Sequence, residues 1–446
     1  MKTKHLHLLF AAVVVAECHA QAPDWTQVQP GTSPFARSHH AMAYDSDRQV
    51  TVLFGGLDTL ARAHGDTWEY DGQTWTELKP AVAPPPRTGH GMIYDPLSKL
   101  TVLYGGSGLR DTWTWNGSVW TKILIPAAQK PSARTSFAMA FDQSRGRIVL
   151  FGGKDIKAGI VNDTWEFDGS VWTDVTPPAS ASPSARSNHE LVYDSYRKRT
   201  VLFGGVGLPR LSDTWEWDGS MWHAVWPSGM PSVRRIAGGM AYDSVRRCVV
   251  MFGGFDTRAL DETWEYDGGS WTRISSSRSP AARDQHKMVY DSARGRVVMF
   301  GGRSGGGETW EYWGANCFMT ADVTSVSFVS GGTQTLTLDA GPVHANRPYW
   351  IFGSITGRSP GIALNGIQIP LNFDIYTEVA MQNVMLNPPF RGFRSVLDAS
   401  GRGTAQFIVP ANLVKVTFTL HHAYVLFDAT GAFYCASNPV SVTVRQ

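Results

Sequence analysis

Charge of either sign is scarce in this 446-residue chain: Asp, Glu, Lys and Arg make up 17% of it, and the formal net charge at pH 7 is +2. A balance so near neutrality leaves no electrostatic footprint for nucleic acid or for an anionic membrane surface. Long apolar runs are also missing. The longest, Leu8 to Ala16, falls far short of the roughly 20 residues that span a bilayer, and no later stretch qualifies, so membrane insertion is not expected. With Lys2 and Lys4 before it and Cys18-His19-Ala20 after it, that run reads as a secretory signal cleaved before Gln21. Glu17, preceding Cys18, is not the small residue that a lipoprotein signal requires. The expectation is a soluble protein, secreted or held outside the cytoplasm in a periplasm or at a cell surface. Cysteine is the third scarcity. Once Cys18 leaves with the signal, Cys248, Cys317 and Cys435 remain.

Glycine, proline and tryptophan are plentiful. The chain has 45 Gly, 25 Pro and 17 Trp with 43% hydrophobic residues, which excludes disorder and implies many turns between many strands. A Gly-Gly pair recurs at Gly55/Gly56, Gly105/Gly106, Gly152/Gly153, Gly204/Gly205, Gly253/Gly254 and Gly301/Gly302, spaced 50, 47, 52, 49 and 48 residues apart. A period near fifty marks an array of equivalent units. Each unit opens with P-x-x-R, as in Pro34/Arg37, and continues with an aromatic-Asp pair such as Tyr44-Asp45. The fifth unit needs one residue more than the others, so either Arg235 aligns in place of Arg234 or a bulge sits there.

Four strands are read in each unit. In the first, H-A-M-A-Y (His40 to Tyr44) is strand A, ending in a D-x-x-R turn. T-V-L-F at Thr51 to Phe54 is strand B, apolar throughout and therefore buried on both faces. W-E-Y at Trp68 to Tyr70 is strand C, and Gln73 to Glu77 is strand D after a D-G turn. Six such antiparallel sheets bury both faces only when arranged radially, which is a β-propeller. The sixth unit lacks its strand-D Trp, but Trp25-Thr26 lies 12 residues before Arg37, the spacing from Trp75 to Arg87. The N-terminal strand 24–29 is thus expected to complete the last blade.

Paired glycines closing strand B, an Arg opening strand A and a Trp in strand D resemble kelch repeats, over residues 24 to 313. The resemblance implies an all-β chain: a signal at 1–20, a six-bladed kelch-type β-propeller over 21–313, then a second domain. Residues 314–446 alternate in strand fashion between Gly and Pro and read as a β-sandwich-like domain. It resembles C-terminal modules of secreted multi-domain bacterial proteins. Cys317 and Cys435 bracket it and are expected to form a disulfide, closing a loop worth about 4 to 5 kcal/mol in the chain-entropy model.

In kelch domains that bind acidic peptides, arginines at the opening position reach the ligand, so Arg37, Arg87, Arg134, Arg186, Arg234 and Arg283 are candidate ligand-binding residues. A structural use, satisfying carbonyls or acids of the blades, competes with that role because every blade keeps the residue. Arg62, Arg110, Lys154, Arg210, Arg258 and Arg303 differ from blade to blade, lie in B-to-C connections, and would suit an acidic protein or an anionic sugar. His40, His90, His189 and His286 recur near the start of strand A. They are expected to be packed and hydrogen-bonded and not to ligate metal, since no carboxylate or Cys spacing supports a closed site. The acids before T-W (Asp66, Asp111, Asp163, Asp213, Glu262, Glu308) read as structural turn residues bonding backbone amides. Galactose oxidase is similar only in fold, since Cys248 sits in a B strand, and sialidase Asp boxes are absent. The expected role is binding a protein or glycan through the arginine-bearing face, by a monomer without a cofactor. The alternatives are a sugar-acting epimerase or lyase at the channel mouth, or an envelope structural protein.

Overall fold

The computed structural model describes residues 23–314 apart from 208–210, 232–237 and 305; within 315–446 it describes 318–321, 325–327, 332–339, 347–354, 362–364, 367–369, 390–391, 394–399, 402–409, 418–427, 433–436 and 440–445. The chain divides into two compact units, Pro23–Gly314 and a second containing Ala315–Gln446. The expected signal, Arg210, Arg234 and Cys317 lie outside the described residues, as does the side chain of Cys435. The expected disulfide therefore falls outside them too.

The first unit is a six-bladed propeller. Blade 1 runs A to D as Ala41–Asp45, Val50–Asp58, Ala63–Tyr70 and Trp75–Leu78. Blade 2 is Gly91–Asp95, Leu100–Tyr104, Thr112–Trp115 and Trp120–Ile123, and blade 3 is Ala138–Asp142, Arg147–Asp155, Gly159–Phe167 and Trp172–Asp174. Blade 4 is Glu190–Asp194, Arg199–Gly205, Leu211–Trp217 and Trp222–Val225, and blade 5 is Gly239–Asp243, Cys248–Phe252, Thr263–Tyr266 and Trp271–Ile274. Blade 6 takes Lys287–Asp291, Arg296–Phe300 and Thr309–Trp313 from the end of the propeller and Asp24–Val28 from its beginning. In that last blade Asp24 pairs with Trp313 and Val28 with Thr309 in an uninterrupted antiparallel register. The A strands are innermost and touch one another all the way round, blade 6 against blade 1 included.

Packing between blades explains the residue pattern. Strand B is the centre of each sheet, and Val52, Leu53 and Phe54 are fully buried because both faces meet a neighbouring blade. The strand-D tryptophans are buried although D is the outermost strand. Trp75 stacks on Tyr70 of its own blade and meets Phe300 of blade 6, with ring centroids 5.0 and 5.1 Å apart. Each such indole removes on the order of 200 Å² from water, a gross gain of roughly 5 kcal/mol before ordering entropy is deducted. Its N–H would be stranded in the seam without a partner. The partner is the Thr of D-T-W or E-T-W in the preceding blade: Trp75 Nε1 donates to Thr309 Oγ1 and Trp120 to Thr67, both at 2.9 Å. Trp172, Trp222 and Trp271 donate in the same way to Thr112, Thr164 and Thr214. Trp25 does so to Thr263 at 2.9 Å, so the N-terminal strand is bound by the same device as the rest.

The second unit is also built of strands. Phe318–Ala321, Gly332–Asp339, Arg402–Val409 and Phe390–Arg391 form one sheet in that spatial order. A mixed sheet joins Ser325–Ser327, Val440–Arg445, Phe418–Phe427, Pro348–Ser354 and Arg394–Val396, with Phe433–Ala436 pairing off Phe418–Phe427. Leu336, Leu338, Tyr349, Ile351, Ala405, Phe407 and Tyr424 are buried.

Candidate functional site: the propeller axis and its loop face

The opening arginines are not where a ligand would meet them. Arg37, Arg87, Arg134, Arg186 and Arg283 are at most 2% exposed. Arg37 sends Nη1 and Nη2 to the two carboxylate oxygens of Asp66 at 2.7 Å each, Nη1 also to the Gly55 carbonyl at 2.9 Å, and Nε to the Phe35 carbonyl at 3.1 Å. The pattern repeats as Arg87 with Asp111, Arg134 with Asp163, Arg186 with Asp213 and Arg283 with Glu308. The arginine carbonyl accepts the N–H of the second glycine in the preceding blade, Gly56 to Arg87 at 3.0 Å and Gly302 to Arg37 at 2.9 Å. That close approach requires glycine: Gly56 has φ +105°, and a Cβ there would stand 2.8 Å from His40 Cβ. The ligand-binding role expected of these five arginines is therefore corrected to a structural one. They tie strand C to strand B and one blade to the next. Burial opposes ionisation of Asp66 and Asp111, but the guanidinium bonds outweigh it and hold both carboxyls below the usual range. Removing one partner of such a buried pair typically costs about 3–5 kcal/mol. Asp66, Asp111, Asp163, Asp213 and Glu308 thus answer the arginines, where backbone amides were expected, and each also accepts a strand-C indole N–H, as Asp66 does from Trp68 Nε1 at 2.7 Å; Glu262 accepts from Trp264 at 3.1 Å.

The four histidines are packed as expected. His40, His90, His189 and His286 are 0–4% exposed, and no side chain bonds their ring nitrogens; His90, His189 and His286 lie against the backbone of Phe54, Phe151 and Phe252, whose hydrogen bonding partly opposes the effect of burial. Each meets a phenylalanine of the preceding blade edge-on: Phe300, Phe54, Phe151 and Phe252, with centroids 5.5–5.7 Å apart. Each imidazole thus fills a different seam. Among the described residues no group of three or more His, Cys, Asp and Glu is placed to hold a metal. Burial, then the neighbouring Arg87 or Arg186, pushes His90 and His189 down to about 3, and burial likewise holds His40 and His286 well below 6.5.

A second ionic girdle runs along the opposite, turn-bearing face. Arg48 bonds Asp45 in its own turn and Glu69 of strand C, each at 2.7 Å, and Glu69 also accepts Trp115 Nε1 of blade 2. Arg145, Arg197, Arg246 and Arg294 repeat this with Glu166, Glu216, Glu265 and Glu311, which accept from Trp217, Tyr266, Tyr312 and Tyr70 of the following blades. Blade 2 departs from the pattern. Ser98 stands for the Arg, Thr114 for the Glu, and the following blade presents Phe167, which has no donor. All three members are missing together, so no buried charge is left alone.

The axial channel carries a feature that the sequence analysis missed. Its loop-face mouth is a belt of backbone hydrogen bonds passing from blade to blade: His39 N to Gln285 O, Gly89 N to His39 O, Ser136 N to Gly89 O and Asn188 N to Ser136 O, at 2.8–3.2 Å. Just inside, the first residue of strand A is small in four blades, Ala41, Gly91, Ala138 and Gly239. In blades 4 and 6 it is Glu190 and Lys287, and their side chains meet with Nζ 3.1 and 3.3 Å from the two carboxylate oxygens. This pair separates a vestibule of about 40 Å³ from a cavity of about 480 Å³ that runs down to Ser46, Ser195, Ser244 and Ser292 at the turn face. Burial raises the Glu190 carboxyl above its usual value, with the Lys287 charge opposing. The signal was in the sequence: two charged residues in a column of Ala and Gly. The strand-A tyrosines end at the turn face instead, where Tyr94 donates to Asp47 of blade 1 at 2.6 Å.

On the loop face, Arg62, Arg110, Lys154, Arg258 and Arg303 are exposed. So are the apolar side chains of Phe35, Leu60, Ile156 and Trp226.

A propeller whose blades are joined through Gly-Gly, an opening Arg and a strand-D Trp is a repeat scaffold with its variable loops on one face. Residues 112–302 match the model of the KLHDC2/KLHL20/DRC7 Kelch-repeats domain. The match spans strand C of blade 2 to strand B of blade 6, so the repeats of this six-bladed propeller are kelch repeats over that stretch. No curated protein matches the chain. Among solved structures, it is similar at 7% identity and a TM-score of 0.38 to the extracellular domain of the hybrid two component system BT4673 from B. thetaiotaomicron, covering 96% of this chain and 59% of that one. Apo AztD from Citrobacter koseri (8% identity, TM-score 0.31, 65% of this chain and 95% of that one) is another likeness. A glycoside hydrolase is a third (7%, 0.32, 91% and 99%). No helix among the described residues is long and apolar enough to cross a membrane.

Proposed function

We propose that this chain is an exported binding protein whose propeller recognises an acidic protein segment on its loop face. One observation carries the reading. With the five described opening arginines buried, the exposed cations of that face include residues particular to single blades, Arg62, Arg110, Lys154, Arg258 and Arg303, alongside exposed Phe35, Leu60 and Ile156. Cations support steering and orientation, and the exposed aliphatic Leu60 and Ile156 supply burial that the apolar side chains of a protein segment match better than a sugar does. Export rests on Lys2, Lys4 and the Leu8 to Ala16 run.

The test is a peptide and glycan array probed with the mature protein and with the variant Arg62→Glu, Lys154→Glu, Arg303→Glu. Acidic peptides containing apolar residues should bind in a salt-dependent manner. The variant should lose about tenfold or more in affinity, a change of about 1.4 kcal/mol or more. Binding confined to glycans, or peptide binding indifferent to the three reversals, would overturn the proposal.

A further inference from the structure

The Glu190–Lys287 pair lies where the fold has no need of it. Four blades place Ala or Gly at the same point of strand A, so the propeller closes without side chains in this layer. The pair also joins blades 4 and 6, which are not neighbours, across the width of blade 5 and its Gly239. Its chemistry is costly in that position: the Glu190 side chain is only 15% exposed and that of Lys287 33%. Desolvating two charges commonly offsets the attraction between them.

We propose that the axial cavity is a binding site for a small zwitterion, a free α-amino acid, whose carboxylate takes Lys287 Nζ while its ammonium takes the Glu190 carboxylate. Three features converge on it. The cavity of about 480 Å³ falls in the size range of small-molecule sites and opens at the turn face past the hydroxyls of Ser46, Ser195, Ser244 and Ser292. Each strand A pairs only with its own strand B, so six unpaired strand edges line the channel with backbone donors and acceptors for the rest of the ligand. The two charges then select the ligand by what each alternative leaves behind. An anion on Lys287 would strand the enclosed Glu190 carboxylate, and a cation on Glu190 would strand the ammonium. A neutral sugar has nothing with which to replace the ion pair. A zwitterion exchanges one internal pair for two and leaves neither charge alone. Loop-face recognition of a protein does not depend on this site.

The experiment is thermal denaturation and calorimetric titration of the mature protein with free L-α-amino acids, with acetate and methylamine as single-charge controls. Wild-type protein should show a Tm rising with the logarithm of amino-acid concentration. The controls should produce no shift. Glu190→Ala with Lys287→Ala reproduces the residue of blades 1 and 3, so it should fold and melt cooperatively while losing the shift. Glu190→Gln, closest in shape, should weaken binding about tenfold or more. A wild-type protein that responds to no amino acid, a shift that survives in the double Ala variant, or acetate binding as well as amino acids do would each overturn the site.

Discussion

Acid should unfold this propeller well above the pH at which its carboxylates titrate, and the cause would be four imidazoles. In an unfolded chain each histidine titrates near 6.5; in the fold His90 and His189 are pushed down to about 3, and His40 and His286 well below 6.5. Burial is the leading cause, followed by the opening arginines, and Lys287 bears on all four. The folded values are depressed and the neutral ring is the native form. Stability is therefore complete above 6.5 and is lost as pH falls from 6.5 toward 3, because only the unfolded chain takes up the protons. His90 and His189 each contribute about 1.36 kcal/mol per pH unit, or about 2 kcal/mol at pH 5. Together they remove about 4 kcal/mol, and His40 and His286 add to the loss in the same direction, a large part of the net stability of many domains. Asp66, Asp111 and Asp213 are held below 3.8, so their ion pairs survive in this window. The assay is urea unfolding followed by tryptophan fluorescence at pH 7, 6 and 5, on wild type and on a variant with all four changed to Phe. Blade 3 already uses Phe137 at this position, where it meets Tyr104 edge-on with centroids 5.7 Å apart. The variant should lose much less stability between pH 7 and 5 than wild type, keeping the share due to His39, which burial and then Arg303 push down to about 4. Parallel loss in the two proteins would refute the argument, and single His→Phe variants, each removing about a quarter of the slope, guard against overpacking in the fourfold one.

Two further expectations concern the seams. Trp25→Ala deletes a fully buried indole and its bond to Thr263, so it should cost about 3–5 kcal/mol in chemical denaturation; an unchanged midpoint would mean that the N-terminal strand does not hold the ring closed. Installing the missing girdle between blades 2 and 3 with Ser98→Arg, Thr114→Glu and Phe167→Tyr should stabilise only as a set. Thr114→Glu alone buries an unpaired carboxylate, and a coupling energy of about 0.5–3 kcal/mol is expected from the mutant cycle; additive effects would show that the three positions do not communicate.

The architecture was legible because each blade repeats the residues that build it. Gly56 needs its positive φ, Trp75 fills a seam, and Arg37 answers Asp66, so all of them recur at the blade period. The same regularity misled the choice of site, since recurrence of Arg37 in every blade was the mark of a building part. Function was better sought in the exceptions, such as Glu190 and Lys287 in a column of Ala and Gly, but an ion pair across an axis cannot be seen until strand A is known to be innermost. The histidines were placed inside correctly, while the phenylalanine each one meets across the seam is set by a geometry that no spacing encodes. Cys248 is buried, as expected of a strand B that is apolar throughout.

The blade that joins Asp24–Val28 to Thr309–Trp313 also sets the order in which the molecule can be finished. Its first strand is made near the start of synthesis and its other three at the end of the propeller, so the most distant contact in the ring is the one that completes it. Until Trp310 and its neighbours emerge, five blades stand as an open arc with an uncovered sheet face at each end, and Trp25 has only half of its pocket. Contacts this remote in sequence are slow to form and leave apolar surface exposed while they wait. A chain stopped anywhere before residue 313 is therefore not a smaller propeller but an unfinished one.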